Sequence, residues 1–259
     1  MFAGAIEGSR IAPSGSTASG LAALFVDDRR RDTRGVVLPR TEIQIVARFG
    51  ASTAGGLDVH AMGGRERVHR KLLSQGHRAV TARLRLGTPA VVLGVSASAL
   101  AGRTVALQDL WGDRATGQLL EKLAAARDLR EAAAVLEGAL AQRLALAGAP
   151  RDAAGLALEA ARRLANGNVK AVSGALGISE RHLRRVFREA VGVGPKTYAK
   201  LARFHRALRA ARADRHPRWA GIAADAGYYD QPHLIADFRA IAGVTPQALL
   251  RELAGGAIG

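Results

Sequence analysis

Four arginines share the outside of one predicted helix. Leu183, Val186 and Phe187 recur at i, i+3, i+4 spacing and claim the inner face, which leaves Arg181, Arg184, Arg185 and Arg188 outward. A guanidinium is a planar fork that can donate to O6 and N7 of guanine or to a phosphate. Ser179 precedes the helix as an N-cap and can also meet a phosphate, and His182 lies beside the buried Leu183 in a structural or phosphate-contacting role. On a single helix such a pattern is equally that of a solvated basic face.

A repeat favours the first reading. The skeleton His182, Leu183, Phe187, Arg188, Gly192, Val193, Pro195 returns 51 residues later as His233, Leu234, Phe238, Arg239, Gly243, Val244, Pro246. Each copy follows a small-residue segment broken by glycine, AVSGALGIS and IAADAGYYD, so each unit reads as helix, tight turn, helix. In such units the second helix enters the major groove of DNA. In the second copy Asp230 is the cap and Gln231 is the side chain suited to adenine N6 and N7, while Pro232, Ile235 and Ala236 occupy the outer surface and Arg239 repeats Arg188. The recognition helices are predicted at about 179–190 and 230–242.

The elements that must position these residues follow from periodicity. Helices are predicted over Leu156–Leu164, Val169–Leu176, Trp219–Ala226 and Pro246–Leu253, and a long one opens at Pro195. Its stripe of Tyr198, Leu201, Phe204 and Leu208 can pack on both repeats and hold the recognition helices about 34 Å, one DNA turn, apart. Upstream, Thr41–Phe49 and His77–Leu86 alternate as half-buried strands. Thr88-Pro89 and Ser96 each start a short helix, and Asp113 and Asp128 cap two helices over Asp113–Ala147. Residues 9–20 read as a poorly ordered lead-in, and Gly148-Ala149-Pro150 as the domain boundary.

The chain has 259 residues, enough for two domains, and a net charge of +16, distributed as +7 over residues 1–150 and +9 over residues 151–259. A polyanion is the natural partner. Arginine supplies 33 of the 38 basic residues, a bias that GC-rich coding also produces. The absence of cysteine removes disulfides, thiolate metal sites and thiol nucleophiles, and fits a reducing cytoplasm. The stretch MFAGAIEGSRIAPSGS lacks the basic start and apolar core of a secretory signal, and the run Ala90–Gly102 is too short to span a bilayer. In the N-terminal part His60, His69 and His77 lie near Glu66; a metal site would need them to converge, which spacings of nine and eight across Gly-rich sequence do not show. No nucleophile triad, phosphate loop or carboxylate pair stands out, so the sequence points to no catalytic residue, no metal and no cofactor.

The stretch GYYDQPHLIADFRAIAGVTPQALL, with Phe238 and Gly243-Val244-Thr245-Pro246 in register, resembles the C-terminal DNA-binding domain of AraC/XylS-type transcriptional regulators, over about residues 151–259. LGTPAVVLGVSASALAGRTVALQDLWG is similar to a strand-and-helix segment before that domain in one branch of the family, over about residues 80–150. The chain departs from the pattern at Ala236, where the family usually has Arg, and at Pro232, where it has a small polar residue or Gln. Positions matching Arg181, Arg184 and Arg185 face the groove in the family.

The resemblance implies an α+β N-terminal domain, 1–148, for sensing or dimerisation, with a small β-rich part and helices from about 113. An all-α tandem helix-turn-helix domain, 149–259, follows it. It implies a bacterial, cytoplasmic, sequence-specific regulator that binds double-stranded DNA. The partners it admits are a small-molecule effector at the N-terminal domain, a second copy of the chain, and RNA polymerase for an activator, with no membrane. Two other classes compete: a DNA-repair enzyme delivered by such a domain, whose alkyl-transfer form needs the cysteine this chain lacks, and an architectural DNA binder without sequence preference.

Overall fold

A computed structural model of the protein describes residues 8–12, 20–50, 53–147 and 152–254. Among the described residues the N-terminal part holds eight strands where the alternation alone indicates two. They are β1 Ser9–Ile11, β2 Leu21–Asp28, β3 Thr33–Val37, β4 Gln44–Phe49, β5 Leu57–Met62, β6 His69–Leu73, β7 Arg78–Leu84 and β8 Thr104–Ala106. Six form an antiparallel sheet in the order β1-β2-β7-β4-β5-β8, and β3 pairs with β6 alone as a two-stranded ribbon. Ser9–Ile11 is thus a strand paired with β2, not a lead-in, while residues 13–19 lie outside the described residues.

Period-2 alternation gives the sheet two unlike faces. Ile45, Ala47, Val80, Ala82, Leu84, Val59 and Ala61 point to one side and are buried under the helices. Those helices are α1 Pro89–Leu93, α2 Ala97–Leu100, α3 Leu107–Trp111, α4 Asp113–Ala124 and α5 Leu129–Ala147. Ser96 accepts the Ala99 amide as expected of a cap, and Asp128 accepts the amides of Arg130 and Glu131. Asp113 does not cap α4. Gly112 is the N-cap there, and the Asp113 carboxylate accepts from Gln108 Nε2 at 2.7 Å, because α3 ends directly before it.

The C-terminal part is helical: α6 Asp152–Leu164, α7 Val169–Ala175, α8 Glu180–Val191, α9 Pro195–Ala213, α10 Trp219–Asp225, α11 Gln231–Ala242 and α12 Pro246–Ala254. Gly148-Ala149-Pro150 lie outside the described residues. Two cores form. Leu164, Val172, Leu183, Val186 and Phe187 make one around α6–α8, and Phe204, Leu208, Ile222, Leu234, Phe238 and Leu249 make the other around α9–α12. The connector α9 enters both: Tyr198 meets Phe187 edge-on at 5.3 Å between ring centroids, and Phe204 meets Phe238 at 4.6 Å.

Candidate nucleic-acid interface and the cavity behind it

Helices α8 and α11 are started and stopped by the same local chemistry. Ser179 accepts the His182 amide at 3.2 Å, and Asp230 accepts the His233 amide at 2.8 Å, each satisfying an amide that a first turn leaves open. Gly192 and Gly243 end the helices at φ 89° and 74°, the left-handed turn that glycine enters without a Cβ penalty. Leu183, Phe187, Leu234 and Phe238 are fully buried. The helical face opposite them is thereby fixed outward.

On α8 that face carries Arg181, Arg184, Arg185 and Arg188, all exposed together with Ser179 and His182. Arg184 pairs with Glu180, and Arg185 reaches Glu189 at 3.4 Å, both at i, i+4 on an open surface. Such pairs are worth about 0.3–0.5 kcal/mol, so either guanidinium can leave its partner for a stronger acceptor. On α11 the exposed residues are Gln231, Pro232, His233, Ala236 and Arg239, with Ile235 half-buried. The His233 ring stands edge-on to Tyr228, 5.3 Å away, which gives this histidine a packing role. Inside α11, Asp237 takes the place that Val186 has in α8. It is buried, and Lys200 at 3.0 Å and Arg203 at 3.8 Å hold it to α9.

One surface residue escapes helix-face reasoning. Tyr229 is 93% exposed directly before the Asp230 cap, beside Gln231. The doubled aromatic Tyr228-Tyr229 was the available signal, since only one of two consecutive residues at a tight turn can enter the core.

Behind these helices, the polar face of the sheet is not solvated as its alternation suggests. The β3–β6 ribbon covers it and encloses a cavity of about 420 Å³. Arg48, His60 and Arg83 come from the sheet, Lys71 from the ribbon, and Arg65 and His77 from the loops between strands. Arg48 binds Asp58, and Arg83 lies over the Phe25 ring at 4.8 Å. Burial is the largest influence holding the His60 and His77 imidazoles below their ordinary value, and neighbouring arginines and Lys71 add to it. His69 does not line this cavity, so His60, His69, His77 and Glu66 are not gathered at one place, and no group of three metal-ligating side chains occurs among the described residues.

The ribbon also touches the second helix-turn-helix unit. The Val68 amide donates to Ile241 O at 2.9 Å, and Arg70 donates to Ala242 O at 3.0 Å and to both Glu252 carboxylate oxygens at 2.9 and 3.2 Å. These donors satisfy carbonyls at the C-terminal end of α11, where a cation is also favoured by the helix dipole. Beside the ribbon, His205 of α9 lies 2.7 Å from Pro39 O through Nε2, donating as the neutral imidazole that burial favours.

Residues 172–252 match the family model described as a helix-turn-helix domain. Over those residues the chain carries a helix-turn-helix domain, in agreement with the two units described above. Comparison with solved structures finds similarity to ToxT from Vibrio cholerae, at 12% identity over 90% of this chain and 98% of that one, with a TM-score of 0.44. A ToxT structure with a bound unsaturated fatty acid is similar at 12% identity over 96% of this chain and 100% of that one, with a TM-score of 0.46. No curated protein sequence matches. No helix among the described residues is long and apolar enough to cross a membrane.

Proposed function

We propose that the chain is a sequence-specific transcriptional regulator whose helices α8 and α11 read successive major grooves. The observation that supports it is the duplicated unit, capped and terminated alike, with a shared helix α9 packed into both cores. Arg181, Arg184 and Arg185 read guanine, Gln231 reads adenine, and Ser179, His182, Arg188, His233 and Arg239 contact the backbone. Asp230 caps, and Ala236 faces the groove without a polar group. Residues 1–148 form the sensing and dimerising domain, residues 149–259 the reading domain, and neither carries a catalytic role. A small-molecule effector belongs in the cavity under the ribbon, whose volume of about 420 Å³ suits one.

Selection of bound sequences from a random DNA pool tests the reading. Two blocks of fixed bases about 10 base pairs apart, centre to centre, are expected. Competition against unrelated DNA should favour the selected site by about a thousandfold or more. An unselective pool, or one block alone, would replace this reading with that of an architectural binder or a single-helix reader.

A further inference from the structure

The turn of the second helix-turn-helix unit is one residue longer than that of the first, and the added residue is Tyr229. In the first unit Gly177 turns at φ 65°, the Ile178 amide donates to Ser173 O at 3.1 Å, and the Ser179 cap follows directly. In the second, Gly227 turns at φ 79° and the Tyr228 amide donates to Ala223 O at 2.9 Å, the same bond at the same point of the turn. The cap, Asp230, then comes one position later. Tyr228 is therefore the counterpart of Ile178, and Tyr229 has none.

Tyr228 takes the inward place. It is buried, with the Arg203 guanidinium over its ring at 5.4 Å and His233 edge-on to it. Tyr229 is left outside, more exposed than any other large apolar side chain among the described residues. A single exposed aromatic is ordinary on a protein surface, but this one stands at the head of an outer face with few polar groups. Along that face Pro232 and Ala236 are exposed at i, i+4, with Ile235 half-buried beside them. Gln231 carries the only carboxamide of α11.

Of the four bases, only thymine presents a methyl group in the major groove; the other edges present donors and acceptors alone. A surface of ring, proline and alanine carbon offers nothing to a donor or acceptor, and it suits that methyl. Gln231 next to it suits adenine, whose partner is thymine, so both contacts fall on one A·T pair or on neighbouring pairs.

We propose that Tyr229 reads thymine, its ring packing on the C5 methyl beside the adenine of Gln231. The second unit then selects A·T pairs largely through carbon contacts, where the first selects guanine through charge. This rests on α11 lying in a major groove.

The test uses the full chain and the duplex selected from the random pool, with binding followed by fluorescence anisotropy. Deoxyuridine replaces each thymine in turn, which removes the C5 methyl and leaves the base pair intact. At one thymine or more this should weaken binding about fourfold, the effect of one buried methyl. Tyr229→Ala should weaken the unmodified duplex about tenfold and abolish the response to deoxyuridine at that position. Tyr229→Phe should keep both affinity and response, since the ring and not the hydroxyl makes the contact. Thermal unfolding should be alike in all three proteins, because so exposed a side chain supports nothing inside. A Tyr229→Phe protein that binds as poorly as Tyr229→Ala, with thymine and deoxyuridine treated alike, makes the hydroxyl a phosphate donor and overturns the proposal. Full affinity in Tyr229→Ala overturns it as well and leaves the ring to a protein partner. A chain that selects a duplex but shows no deoxyuridine response tied to Tyr229 fails only here, whereas one that selects no DNA fails as a regulator and takes this proposal with it.

Discussion

The two helix-turn-helix units share a frame and differ in almost everything that frame displays. Ser179 and Asp230 cap, Phe187 and Phe238 are fully buried, and Gly192 and Gly243 stop the helices in the same left-handed turn. On the outer surface Arg181, Arg184 and Arg185 correspond to Pro232, Ile235 and Ala236, so only Arg188 and Arg239 are common cations. The supports differ as well. The turn after α8 closes against α2, where a Cβ at Gly192 would meet Ala97 O at 3.0 Å, whereas the end of α11 is held by the ribbon. A backbone that must bury one aromatic and two turn-ends tolerates little change. An outer face constrained only by its partner is free to diverge.

The largest test of this comparison addresses the shared frame. Phe187→Ala and Phe238→Ala should each cost about 3–5 kcal/mol of stability, as expected for emptying a fully buried aromatic site, measured by denaturant unfolding. A clear inequality would show that one unit leans on its neighbours more than its own core.

The outer faces should separate next. Arg184→Ala is expected to cost about 1–3 kcal/mol on the selected site and to relax preference locally, by loss of a bidentate guanine contact. Gln231→Ala should cost less in the same binding scan over every base. Equal information content under α8 and α11, or an Arg184→Ala protein with unchanged preference, would break the asymmetry.

The shared cations should behave alike. Arg188→Ala and Arg239→Ala are each expected to lower the slope of log affinity against log salt by about 0.9, the signature of one phosphate contact. A normal slope in either variant removes that residue from the backbone contacts. Ala236→Arg sharpens the comparison from the other side and should raise affinity by no more than a modest factor, since it adds one cation to a nearly uncharged surface.

The smallest expected effect lies away from the outer faces of α8 and α11. His60, His77 and His205 are all held below the ordinary histidine value, with burial the largest cause. A depressed value means that the unfolded chain binds the proton more readily. Their stabilisation is therefore present above about pH 6.5 and is lost as pH falls from there through the folded values. Thermal unfolding should show stability declining below about pH 6.5, with a shallower decline in His205→Phe. An unchanged decline would remove the burial of His205 from the account.

What the sequence determined by itself was short-range. Caps, the glycine after α8 and after α11 and the i, i+3, i+4 apolar spacing act within a dozen residues, so both units, and which of their residues face outward, were legible from residues 169–253. The strands β4 and β7 were legible in their alternation, but its meaning was not. A polar stripe such as Gln44 and Arg48, or Thr81 and Arg83, has the same period whether it meets water or a cavity wall. β2, LAALFVDD, is an apolar run without period, and the ribbon strands TRGVV and HRKLL carry little pattern at all.

Only the tertiary structure decided that the ribbon folds over the polar face and that Arg70 meets Glu252, a residue 182 positions away. Such contacts depend on how separately stable pieces dock. Docking is set by the complementarity of whole surfaces, which no local spacing encodes.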